Sequence, residues 1–124
     1  MDSAEAIYEY MRPKMQDLAT EQAWVLLLNQ NFKLIKTVRI SSGGISETSV
    51  DVRVVLREAL LCNATVVALC HNHPSNNPRP SGDDDRITQR LQKACETMRI
   101  YMLDHLVITD SDYYSYMENG KLDR

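Results

Sequence analysis

Apolar and polar residues follow two rhythms along the chain, one near the helical period and one of buried or alternating strands. Ile7, Tyr10, Met11 and Met15 recur at near-helical spacing behind Ser3, a good capping residue, so a first helix is expected from Ala4, kinked or ended by Pro13. AWVLLLN (23–29) and FKLIKTVRI (32–40) are rich in strand formers, and Gln30 and Asn31 between them read as a hairpin turn. The first run is almost wholly apolar, which predicts a central strand covered on both faces. After the connection SSGGISETS (41–49), Ser49 is expected to cap a helix through VDVRVVLREALLCN (50–63). TVVALCHN (65–72) is a second buried strand. Pro74, Pro78 and Pro80 stiffen the loop that follows, and Ser81 opens a helix reaching about Met98, with Asp83, Asp84 and Asp85 where the helix dipole favours acids. IYMLDHLVIT (100–109) is a third buried strand, DSD a turn and YYSYM a short last strand.

Strands alternating with helices, plus one hairpin, predict an α/β fold: a single domain with a mixed β-sheet and helices on both faces. A length of 124 residues suits one core. No apolar run is long enough to span a bilayer, and the first residues are acidic where a signal peptide is basic, so the expected location is cytoplasmic. Cys62, Cys70 and Cys95 are odd in number and form no CxxC pair, so they read as reduced thiols. The net charge of −3 argues against a domain built to grip nucleic acid nonspecifically.

Chemistry concentrates in HNHPSNNPRPSGDDD (71–85). Side chains two apart in a strand point the same way, so His71 and His73 can face one metal ion while Cys70 and Asn72 turn aside. Asp84, in the first turn of the next helix, can be brought back over the strand end by the proline-stiffened loop. Two imidazoles and a carboxylate leave a fourth tetrahedral position open, which separates catalytic from structural zinc. The alternative is that Ser81-x-x-Asp84 is only a capping box serving orphan amides. His105, alone in LDHLV, reads as a satisfied polar residue, and Asp83 and Asp85 as dipole and solvent residues. Glu21 precedes the first buried strand and could reach a site at its neighbour's end as a base, although on residue grounds alone an ordinary loop glutamate is the better reading.

The pattern Glu21, His71-x-His73, seven residues, Ser81, two residues, Asp84 resembles the JAMM (MPN+) metalloprotease signature. HNHPS with a later PS, the upstream Val50, Arg53, Ala59 and Leu60, the pair Asn63 and Ala64, and LDHLVI after the long helix together resemble the RadC family over nearly the whole chain. The resemblance implies a cytidine-deaminase-like fold of JAMM/MPN type and a Zn2+ held by His71, His73 and Asp84. It further implies that Glu21 activates the bound water and Ser81 steadies the oxyanion. Asn76 stands where RadC proteins commonly carry Gly, and asparagine tolerates a left-handed backbone. Val52 and Val54 stand where Pro and Glu usually flank the arginine, which leaves Arg53 a packing or loop salt-bridge role. The N-terminal helix-hairpin-helix domain usual in RadC proteins is not in this chain, so it is read either as a short stand-alone member or as one domain of a longer protein.

Three functions compete. The first is a zinc-dependent peptidase or isopeptidase acting on a peptide or protein. The second is a DNA repair or recombination factor whose metal site is not a protease, a DNA association the net charge does not support. The third is a metal-bearing binding module with the Gly43–Gly44 loop in its groove. An HNH nuclease spreads its motif over a ββα unit, unlike this contiguous one, and a nucleobase deaminase would carry H-x-E with a downstream P-C-x-x-C.

Overall fold

Ser3 caps the first helix as its position predicts, its hydroxyl accepting from the Ala6 amide at 3.1 Å. The computed structural model describes residues 1–42 and 50–124. The elements in chain order are α1 (Ala4–Met15), β1 (Gln22–Leu28), β2 (Leu34–Ser42), α2 (Val52–Leu61), β3 (Val66–Asn72), α3 (Gly82–Thr97), β4 (Tyr101–Ile108) and β5 (Tyr113–Ser115). Pro13 lies inside α1 and does not end it at its own position. The helix closes two residues later at Met15.

The five strands form one sheet in the order β2-β1-β3-β4-β5. β1 runs antiparallel to both β2 and β3, β3 and β4 are parallel, and β5 returns antiparallel on β4, so the sheet is mixed as expected. The β1–β2 connection is longer than a two-residue turn and spans 29–33. Asn29 organises it, its Oδ1 accepting from the amides of Asn31 and Lys33, while Phe32 adopts φ 60°.

Alternation along the strands splits the core into two layers. Leu26, Leu28, Val66, Ala68, Cys70, Leu106 and Ile108 pack with Ile7, Met11 and Met15 of α1 on one side. Val25, Leu27, Val67, Leu69 and Val107 pack with Val55 and Ala59 of α2 and with Ile87 and Leu91 of α3 on the other. A buried Ile or Leu contributes roughly 1.5–3 kcal/mol, so the two on α3 alone hold that helix firmly against the sheet. Cys70 and Cys95 are buried free thiols, both pushed up by burial, Cys95 to about 12.

Asp51, not Ser49, caps α2, accepting from the Arg53 amide. Ser49 and the Gly43–Gly44 loop lie outside the described residues. Arg53 returns to Asp51 through Nε at 3.2 Å and Nη2 at 2.9 Å, the loop salt bridge anticipated for it. Asn76 adopts φ 64°, so asparagine does take the left-handed conformation that the turn demands. Among the described residues, no helix is long and apolar enough to cross a membrane.

Candidate metal centre

β3 lies between β1 and β4, and all seven of its residues are buried. His71 therefore reaches the strand's end inside the protein, while His73, one step beyond the strand, keeps its ring 14% exposed. The proline loop returns the chain so that α3 begins above them. Its first turn is locked by a full capping box: Ser81 Oγ accepts from the Asp84 amide at 3.1 Å and Asp84 Oδ2 accepts from the Ser81 amide at 2.7 Å. The cap, the competing explanation for Asp84, is fully formed. One carboxylate holds the helix end and faces both histidines.

The two imidazoles and the carboxylate crowd together. His71 Nε2 and His73 Nε2 are 3.0 Å apart, His71 Nε2 lies 3.1 Å from Asp84 Oδ1, and His73 Nε2 lies 3.3 Å from the other carboxylate oxygen, Oδ2. Ligands about 2.0–2.1 Å from a tetrahedral zinc are about 3.3 Å from one another, so each of these separations is that of two neighbouring ligands of one ion.

The proton positions argue the same way. His73 Nδ1 lies 2.9 Å from the Asn77 carbonyl, which only accepts, so that nitrogen carries the hydrogen and Nε2 presents its lone pair. On His71 the logic runs through a buried column. Thr88 Oγ1 donates to the Asp84 carbonyl at 2.8 Å, so it accepts from His105 Nδ1 at 2.5 Å. His105, wholly buried and held neutral as burial lowers its pKa, then accepts at Nε2 from His71 Nδ1, 2.8 Å away. His71 is left with a bare Nε2. Two lone pairs and a carboxylate thus converge where only a cation or a shared proton relieves their repulsion. Burial by itself raises the pKa of Asp84, but where protons instead of a metal ion sit on the two Nε2 atoms, hydrogen bonds from His71 and His73 outweigh it and hold the group well below the usual carboxylate range. His73 is raised chiefly by its bond to Asp84, with burial opposing and the Asn77 carbonyl and Glu21 assisting. These groups could hold a metal ion.

Glu21 approaches from the side. The β1–β3 ladder ends at the pair Ala23 and His71, and Glu21 lies two residues before the one as His73 lies two residues after the other. It is half-buried, and close enough for its charge to be felt by His73. Ser81 is exposed at the helix end, and because its oxygen accepts from Asp84, its own proton is free to be donated outward. Cys70 lies in the opposite core layer, away from the histidines.

His105, Thr88 and Asn72 were not singled out as site residues by sequence reasoning. His105 is a satisfied polar residue, as read, but its partner is His71, and the plane of Tyr116 stacks on its other side at 4.8 Å. The available signal was an Asp-His pair, Asp104 and His105, in the middle of a strand otherwise rich in apolar residues. Linking it to His71 requires the β3–β4 pairing, which local sequence does not carry.

A family model described as a RadC-like JAB domain matches residues 1–121. A UPF0758 protein of Porphyromonas gingivalis is 44% identical over 116 residues, covering 93% of this chain and 51% of its own length. One from Flavobacterium johnsoniae is 42% identical over 118 residues, covering 95% and 52%. One from Symbiobacterium thermophilum is 39% identical over 117 residues, covering 94% and 50%. The chain spans about half the length of these relatives. With its five-stranded mixed sheet, three helices and His-His-Asp group at the strand end, the chain belongs to the RadC-like JAB domain family.

Proposed function

We propose that this domain is a zinc-dependent hydrolase that cleaves an amide bond of a peptide or isopeptide. His71, His73 and Asp84 are the ligands, Glu21 is the general base, and Ser81 donates to the developing oxyanion. The observation that carries the reading is the convergence of two imidazole Nε2 atoms and one carboxylate, with separations of 3.0 Å between the nitrogens and 3.1 and 3.3 Å from them to the two carboxylate oxygens. Two imidazoles favour zinc over magnesium or calcium, which prefer all-oxygen shells. Zinc bound there would polarise the scissile carbonyl and bring the pKa of water in the open position to about 7. Glu21 would accept a proton from a water held there as the water oxygen adds to the carbonyl carbon, and would return that proton to nitrogen as the C–N bond breaks. The free Ser81 proton is aimed where negative charge appears on the carbonyl oxygen. The net charge of −3 gives a nucleic-acid substrate no comparable support.

Protein purified without added metal is expected to carry about one zinc per chain, and His71→Ala to lose it. Glu21→Gln is expected to keep zinc while hydrolysis of linear and Lys-linked peptide libraries falls at least ~100-fold. Equal turnover by Glu21→Gln and the unaltered protein would remove Glu21 as the base.

A further inference from the structure

We propose that Asn72 is the positioning residue for Glu21, holding the main chain on both sides of it. Asn72 sits between the two histidines and is 3% exposed. Its Oδ1 accepts from the Gln22 amide at 2.7 Å, and its Nδ2 donates to the Thr20 carbonyl at 3.1 Å. The two bonds bracket residue 21.

The bracket falls where the sheet stops supplying support. The β1–β3 ladder ends at the pair Ala23 and His71. Beyond it, the backbone of β3 turns to its other neighbour: Asn72 pairs with Ile108, and the His73 amide donates to the Ile108 carbonyl at 2.9 Å. Glu21 precedes β1, so its backbone is not carried by that ladder. The Asn72 amide group extends the link between the two chains past the point where main-chain pairing ends.

The chemistry selects asparagine. The site asks one short group to accept from an N–H and donate to a carbonyl two residues away. A carboxamide has both ends, aspartate lacks the donor, and serine or threonine has one oxygen for both tasks. A glutamate carboxylate swings on three rotatable bonds, so its aim depends on a fixed main chain. A misplacement of about 1 Å can cost about 100-fold in rate. The tripeptide His71-Asn72-His73 thus supplies two ligands and the anchor of the base from one strand end, so that metal and base keep a common register.

The inference rests on Glu21 as the base, yet the clamp can be tested without turnover. Amide hydrogen exchange is measured by NMR on the full chain, unaltered, as Asn72→Ala and as Asn72→Asp, each with zinc content determined. In Asn72→Ala the Gln22 amide is expected to exchange about tenfold faster, while Val25, Leu26 and Leu27 keep their protection and zinc stays near one per chain. Asn72→Asp retains the acceptor and loses the donor to Thr20, so Gln22 stays protected while the paramagnetic shifts of Glu21 should move; if the alanine protein does not fold, unmoved Glu21 shifts in this variant overturn the clamp. In the Co2+-loaded protein, paramagnetic shifts of Glu21 should change in Asn72→Ala while those of Ala23 hold. With a cleaved peptide, kcat should fall about 10–100-fold at constant KM, and the double variant with Glu21→Gln should be no slower than Glu21→Gln alone. Unchanged Gln22 exchange in Asn72→Ala overturns the clamp, as does zinc loss on the scale of His71→Ala. Absence of turnover in the unaltered protein would count against the base and leave the exchange result standing.

Discussion

Asp84 and Asp104 are both shut away from solvent, at 1% and 0% exposure, yet their surroundings treat the charge in opposite ways. Asp104, in the middle of β4, is served by neutral donors. Its Oδ1 accepts from the amides of His105 at 2.7 Å and Met117 at 2.9 Å, and its Oδ2 from the Ser115 hydroxyl at 2.5 Å. Burial outweighs these bonds and pushes its pKa up to about 6. Burial acts in the same sense on Asp84, but the imidazoles opposite reverse the outcome and hold it low. Two amides and a hydroxyl, all neutral, serve a structural knot that ties β4 to β5 and the turn after it. A carboxylate kept ionised beside two imidazole nitrogens calls for positive charge between them, supplied by a metal ion or by protons on the rings.

The sharpest way to break this contrast is to make the same change at both. Asp84→Asn and Asp104→Asn are nearly isosteric. Zinc affinity, measured by competition with a chelator, is expected to fall in Asp84→Asn by more than the ~10–100-fold that an outer partner of a ligand is worth. Asp104→Asn should bind zinc as the unaltered protein does. Equal affinities in the two variants would erase the distinction between a ligand and a knot.

The contrast also marks where sequence reasoning reaches. The cluster containing Asp84 could be read because its ligands lie within one strand, one loop and one helix turn, and local periodicity sets the direction of each side chain. The strands of the sheet and α3 were legible for the same reason, as apolar runs between proline, glycine and capping residues. Asp104 and His105 act through Ser115, Met117, Thr88 and His71, contacts made only when β5 folds back on β4 and α3 docks on the sheet. The capping assignment at Ser49 missed because Asp51, two residues on, offers the same chemistry directly before Val52. Asn72 was seen only as a residue pointing away from the metal. Its partners flank Glu21, fifty residues upstream, so its use depends on the antiparallel register of β1 with β3.

The two carboxylates should also part in their dependence on pH. Asp104 has a folded pKa near 6 against 3.8 in the unfolded chain, so the folded state holds a proton that the unfolded state has released. Stability from this group is therefore full below pH 3.8 and lost as pH rises through 6, a change on the order of 3 kcal/mol. Asp84 is depressed, so its contribution is present above pH 3.8 and lost as the solution is acidified below it. Urea melts of metal-free protein between pH 4 and 7 should show the gap between the unaltered protein and Asp104→Asn shifting in favour of the variant as pH rises. A gap that is flat, or moves the other way, means that Asp104 is ionised in the fold.

His105 stands between the two carboxylates, its amide on Asp104 and its ring in the column that runs from Thr88 to His71. Thr88→Val tests whether the column does more than fill space, since it keeps the volume and removes the hydroxyl. His105 Nδ1 then loses its acceptor, and nothing favours a proton there over one on Nε2. A proton on Nε2 would confront the His71 Nδ1 hydrogen at 2.8 Å. His71 is then driven to the opposite tautomer, with its hydrogen on the nitrogen that faces the metal. Zinc affinity in Thr88→Val is expected to fall about 10–100-fold, between the values for Asp84→Asn and Asp104→Asn. Nitrogen NMR of the histidines should find the His105 hydrogen on Nδ1 in the unaltered protein and on Nε2 in the variant. Should the hydrogen stay on Nδ1 and zinc binding hold, the column is packing alone, and the orientation of His71 must come from β3 itself.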